Sequence, residues 1–210
     1  MNTLAENPIK SIALTIKKAL QAGISYLEYR ELVKQLALEN SNSGPEKTAA
    51  LANYTQLNDR RMNRWDKTLK IEEEVVNGFK EIKQKLIWLV ITESWCGDAS
   101  PSLPVINKLA SLSPNISLKI VFRDEHPALM DLFLTNGARS IPKLIVLDGG
   151  SMEVLAEWGP RSSKATKMVN DYKAEHGQLT PEFKQDLQVF YNKDKGQNIV
   201  EDLRQLLALK

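Results

Sequence analysis

The chain carries one thiol, Cys96, in the run Glu93-Ser94-Trp95-Cys96-Gly97-Asp98. An apolar stretch precedes that run and a helical one follows it, so the sulfur is placed at a helix start. Free N–H groups and the helix dipole stabilise negative charge there. The expectation is an accessible thiol, more acidic than the ordinary value of about 8.5. A lone cysteine is more often a small buried core residue. Two further elements argue against that reading here. Gly137-Ala138-Arg139-Ser140-Ile141-Pro142 leads directly into an apolar run, which makes Pro142 a candidate cis proline before a strand. Trp158-Gly159-Pro160 then lies between the last strand of the region and its last helix. The chemistry open to one such thiol is disulfide exchange.

The rest of the composition removes other chemistries. One cysteine permits no intrachain disulfide and no multi-cysteine zinc or iron–sulfur site. Two histidines, His126 and His176, make no histidine-rich metal site, so neither metal nor cofactor is expected. His126 precedes Pro127 and reads as a surface loop residue, with a Cys–His pair as the minor alternative. Glu93 is near enough in sequence to shuttle protons, but a solvated loop carboxylate is the ordinary reading. Trp95 is expected beside the thiol and Trp158 near the Ile141-Pro142 loop; as core residues they would need no functional role. Lys plus Arg is 28 against 26 for Asp plus Glu, a net +2, which does not predict a nucleic-acid or anionic-membrane surface. The longest apolar run, 86–91, is far short of the about 20 residues that span a bilayer. The N-terminus lacks the basic and apolar regions of a signal peptide, so the expected address is the cytoplasm.

Positioning that thiol requires a strand before it and a helix after it. Residues 86–91 are continuously apolar and rich in β-branched and aromatic types, the mark of a strand buried on both faces. Residues 98–112 read as a helix, 116–122 as a strand, 127–136 as a helix ended by Gly137, and 143–147 as a strand. Asp148-Gly149-Gly150 forms a hairpin turn into a strand at 153–158, and 162–176 is a helix. The order is β-α-β-α-β-β-α. Before it, residues 1–85 read as an all-helical extension. Ile9, Ile12, Ile16 and Leu20 keep helical spacing. Ser25 and Glu28 form a capping-box pattern before a helix carrying Leu27, Leu32 and Leu36. Ser43 with Glu46 reads as another cap, before a long helix carrying Leu51, Tyr54, Leu57, Met62, Trp65 and Leu69. Arg60, Arg61, Arg64 and Lys67 form a stripe there, read as a solvated face balanced by Asp59, Asp66 and Glu72–Glu74. A further helix covers about 71–83. Residues 177–210 add a short helical tail with balanced charge.

Trp95-Cys96-Gly97, a helix proline at Pro104, Ser140-Ile141-Pro142 and Gly159, in this element order, resemble the thioredoxin superfamily. The finer likeness is to bacterial stand-alone proteins with a W-C-G-D motif. The resemblance covers 86–176 and implies an α/β thioredoxin-like fold: a central mixed sheet with helices on both faces. Cys96 would be the nucleophile, with Trp95, Gly97, Asp98, Ile141, Pro142, Trp158 and Gly159 shaping a substrate groove. The departures matter. The family's C-x-x-C reads Cys96-Gly97-Asp98-Ala99 here, so the resolving sulfur is absent. The family's buried aspartate falls at Val90. Asp98 replaces the motif proline, where its charge favours a helix start but repels a thiolate.

The resulting expectation is monothiol chemistry within cell redox homeostasis. Cys96 forms mixed disulfides with protein or low-molecular-weight thiols, and an external thiol resolves them. Dithiol reductase activity is not expected. The alternative is a non-catalytic module that holds a protein partner in the cis-proline groove. A third role is structural, with the helical extension as a homo-oligomer interface.

Overall fold

The computed structural model describes residues 8–208. Four helices precede the first strand: α1 (Pro8–Ala22), α2 (Tyr26–Leu38), α3 (Ala49–Thr68) and α4 (Glu73–Lys80). Then follow β1 (Leu86–Thr92), α5 (Ala99–Ala110), β2 (Ile116–Phe122), α6 (Pro127–Leu132), β3 (Lys143–Asp148), β4 (Val154–Trp158) and α7 (Ser163–His176). Helices α8 (Pro181–Asp194) and α9 (Gln197–Leu206) complete it.

The strands make one sheet in the order β2-β1-β3-β4, with β1 parallel to β2 and antiparallel to β3, and β4 antiparallel to β3. Successive strand residues point to opposite faces. Trp88 and Val90 on one face and Leu89 and Ile91 on the other are all fully buried, so helices cover both faces of β1. This is the mixed α/β sheet that the resemblance implies. The outer edge of β2 is closed by Ile24, in the turn between α1 and α2. Its N–H and carbonyl pair with those of Ile120 at 2.9 Å each, which satisfies an edge that would otherwise invite another strand. None of the described helices is long and apolar enough to cross a membrane.

The helical extension departs from its expected pattern at several points. The capping box at Ser25 and Glu28 is present. The buried face of α2, however, is Tyr26, Tyr29 and Val33, while Leu27 is 77% exposed. Helix α3 buries Ala52, Thr55, Asn58, Met62 and Trp65. Of the expected apolar face Met62 and Trp65 are buried, whereas Leu51, Tyr54 and Leu57 give way to Ala52, Thr55 and Asn58, the last two being polar residues that bond to the turn at 94–96. Thr48, not Ser43, caps α3 by accepting the Leu51 N–H. Asp59 and Asp66 pair with Arg30 of α2 at 3.1 and 3.0 Å, so they clamp α2 to α3 and do not balance the arginines of their own helix. The helix expected at 71–83 occupies only Glu73–Lys80. The one expected at 127–136 stops at Leu132, because Phe133 leaves helical geometry and buries its ring.

Candidate functional site

Cys96 lies just past the C-terminal end of β1, in a tight turn that opens α5. Its N–H donates to the Glu93 carbonyl at 3.1 Å, and its own carbonyl accepts from the Ala99 N–H at 3.1 Å. The turn is fixed from the side by α3. Asn58 Nδ2 donates to the Ser94 and Cys96 carbonyls at 2.9 and 3.0 Å, and the Thr55 and Ser94 hydroxyls bond at 2.9 Å. The loop before α3 adds Ser43, whose N–H donates to Ser94 Oγ and whose Oγ accepts from the Ser94 N–H, both at 2.9 Å. The residue pattern read as a cap therefore holds the cysteine loop instead.

Glu93 overturns the expectation of a solvated carboxylate. It is fully buried, accepts from the Ser43 hydroxyl, and accepts the Asp124 N–H at 2.9 Å. Burial holds its carboxyl above the usual range, against those two hydrogen bonds. Val90 is fully buried in the apolar sheet. His126 is half-buried at the start of α6 and does not line the cavity described below.

The accessible, acidified thiol is also corrected. Cys96 is 6% exposed, and its Sγ donates to the Ile141 carbonyl at 3.2 Å. Burial pushes the thiol up to about 12, and the Asp98 carboxylate adds to the rise. The N–H groups of Ala99 and Asp98 and the Arg161 charge pull the other way, as a helix start should, but do not offset burial. Asp98 makes no capping bond to α5. Its buried carboxylate pairs with Arg161 at 2.6 Å and accepts from the Tyr191 hydroxyl at 3.2 Å. Burial still raises its pKa, against Arg161 and Tyr191.

The Ile141–Pro142 peptide is cis, and so is Gly159–Pro160. Gly159 has φ +113, and a Cβ there would stand 2.2 Å from the Pro142 carbonyl oxygen. That close approach is why the position admits only glycine. Trp158 pairs with Leu144 in the sheet, and its indole donates to Asp202 of α9 at 3.1 Å. Trp95 lies beside the thiol, with the Arg123 guanidinium 4.9 Å from its ring centre.

A cavity of about 740 Å³ opens over the sulfur. Trp95, Cys96, Gly97, Asp98 and Ile141 line it, whereas Pro142, Trp158 and Gly159 are not among its lining residues. One wall is α8, with Leu187 and Gln188; the Gln188 amide reaches the Gly97 carbonyl at 3.3 Å. Sequence reasoning assigned the tail no site chemistry. The available signal was Asp98 itself: a carboxylate next to a buried loop needs partners. One of them, Arg161, directly follows the Gly159-Pro160 pair.

A family model described as Thioredoxin matches residues 44–173, well over half of the chain. The chain belongs to this thioredoxin family. The match begins in the loop before α3 and ends within α7, so α8, which walls the cavity, lies outside it. No curated protein matches the sequence. Among solved structures, this thioredoxin-family chain is similar to a Pseudomonas aeruginosa protein of unknown function. The identity is 19% and the TM-score 0.57, over 72% of this chain and 84% of that one. It is also similar to an HIV epitope scaffold, at 17% identity and TM-score 0.54, over 88% of this chain and 98% of the other. At these identities the likeness shows the fold.

Proposed function

We propose that this thioredoxin-family protein performs single-cysteine disulfide exchange at Cys96. The observation that carries the reading is the sulfur's place on the lining of a large cavity at the start of α5; by the motif resemblance, Ala99 takes the position of a second sulfur. A disulfide RS–SR entering the cavity loses its S–S bond as Cys96 Sγ–SR forms, and the Cys96 proton leaves with the departing RS as RSH. An external thiol then attacks the mixed disulfide, regenerating Cys96 as a thiol. No second protein sulfur competes for the intermediate, so the adduct persists until that thiol arrives. The raised thiol pKa makes the step slow at neutral pH, since only the thiolate attacks.

The same burial favours a second reading, a ligand-binding module that does no thiol chemistry. Strand addition by a protein partner has less support. The Ile141 carbonyl already accepts the Cys96 thiol, and Pro142 is buried and does not line the cavity. Incubating the protein with a small symmetrical disulfide and weighing it intact separates the two readings. Exchange predicts one half-disulfide added at Cys96 and removed by a monothiol. A protein that gains no mass over the pH range in which it stays folded is a binding module.

A further inference from the structure

The cavity over Cys96 is unevenly charged. Arg61, Arg123, Arg139, Arg161 and Lys184 line it, and Asp98 is its only carboxylate. The whole chain is only +2, so this is a local concentration of positive charge. Asp98 is already committed to Arg161 and Tyr191. Arg123 and Arg139 pair with Asp124 and Asp131, which do not line the cavity. Among the described residues, Arg61 and Lys184 enter no ion pair. Half-buried Arg61 has one weak neutral contact, donating to Asn58 Oδ1 at 3.3 Å. Its titratable surroundings are mostly cationic: burial lowers its pKa first, then Arg64, with Arg60 adding to the fall. The acids nearest it on α3, Asp59 and Asp66, turn to Arg30. A guanidinium drawn partly out of water without a counter-charge is costly, and a carboxylate in the cavity would remove that cost.

The shape limits what can bring the charge. Helix α8 closes one side, and the thiol takes one acceptor site of the Ile141 carbonyl, which narrows the room for an extended chain. A volume of about 740 Å³ is that of a small-molecule pocket. Tyr54, Trp95 and Leu179 supply apolar walls for the body of such a molecule.

We infer that the cavity takes a low-molecular-weight, carboxylate-bearing disulfide, whose carboxylates pair with Arg61 and Lys184 while its sulfurs lie over Cys96. The sulfur part of this inference rests on the exchange reading above. The charge part stands on the cavity lining alone.

Three disulfides of similar size test it: 3,3′-dithiodipropionate (dianionic), bis(2-hydroxyethyl) disulfide (neutral) and cystamine (dicationic). Calorimetric titration of Cys96→Ser protein reads binding without exchange. The expected result is binding of the dianion, at least about tenfold weaker binding of the neutral compound, and none of the dication. Arg61→Gln and Lys184→Gln should each weaken the dianion about 5–10-fold, and raised salt should weaken it further. The native protein, followed by intact mass, should form its mixed disulfide fastest with the dianion. If Cys96→Ser protein selects the dianion but native protein forms no adduct, the exchange reading fails and the anionic cavity stands. Equal adduct rates for all three compounds, without charge selectivity in Cys96→Ser protein, would leave exchange intact and overturn the inference. Selectivity that survives the double variant Arg61→Gln/Lys184→Gln would also overturn it.

Discussion

Cys96 Sγ donates to the Ile141 carbonyl at 3.2 Å, and ionising the sulfur would forfeit that bond and set a charge near the Asp98 carboxylate. With the thiol pushed up to about 12, the thiolate fraction grows about tenfold for each pH unit through the neutral range. Alkylation by iodoacetamide should therefore keep accelerating from pH 7 to 10; a plateau near pH 8.5 would show an ordinary thiol. Asp98→Asn removes the nearby negative charge and leaves Arg161 unpaired beside the sulfur. Both changes favour the thiolate, so this variant should alkylate severalfold faster than the native protein at pH 8. The same shift has a consequence for stability. The folded thiol keeps its proton to a higher pH than the unfolded one, so its contribution is fully present below the unfolded thiol value of about 8.5. It is lost as pH rises toward 12. Urea midpoints of native protein should therefore fall more steeply above pH 9 than those of Cys96→Ser. Parallel curves for the two would mean that burial does not hold the proton.

The cysteine turn is fixed from several sides: β1 delivers it, α3 bonds to it through Thr55 and Asn58, the loop before α3 bonds to it through Ser43, and Gly159, just after β4, packs closely on the Pro142 carbonyl of the facing loop. Gly159→Ala should be severe. The new Cβ would meet the Pro142 carbonyl oxygen at 2.2 Å, at a φ of +113 that side chains rarely adopt. A loss on the order of 2–4 kcal/mol is expected in urea unfolding, and a loss below about 0.5 kcal/mol would mean the loop yields freely. How much of this could be read in sequence follows from range. The run 86–91, the Cys96 turn and the Ile141-Pro142 loop announce themselves by local pattern, and so does the Ser25–Glu28 capping box. Glu93 does not, because its hydroxyl partner Ser43 and its amide partner Asp124 lie 50 and 31 residues away. Ser43 was misleading for the same reason: a short polar residue near a helix start reads as a cap, yet its hydroxyl meets a distant carboxylate. The raised pKa of the thiol is not legible in sequence because a helix start is a local feature, while burial under Ile141 and the walls around Asp98 is a property of the assembled chain.

One continuous core runs through the molecule, from Met62 in α3 through Trp88 in β1 to Leu203 in α9, each fully buried. The terminal helices therefore share their apolar contacts with the sheet. Phe183, Leu187 and Tyr191 of α8 belong to the same core, and Tyr191 also reaches Asp98 beside the thiol. If that continuity governs unfolding, a cavity cut at either end must lower one shared transition. Leu203→Ala and Met62→Ala should each cost about 2–5 kcal/mol. For a chain of this size that lowers the thermal midpoint by roughly 5–15 °C. In both variants, far-ultraviolet ellipticity and tryptophan fluorescence should change together, because removing either end exposes the sheet that buries Trp88. The opposing expectation is also definite. If the helices fold as independent units, Leu203→Ala would give an early partial loss of ellipticity with only the part of the fluorescence change that comes from Trp158, whose indole bonds to Asp202 of α9, and Cys96 alkylation would rise in that first step as α8 comes away from Gly97 and Asp98. A single coincident transition, with alkylation rising only alongside it, would tie protection of the thiol to the fold as a whole.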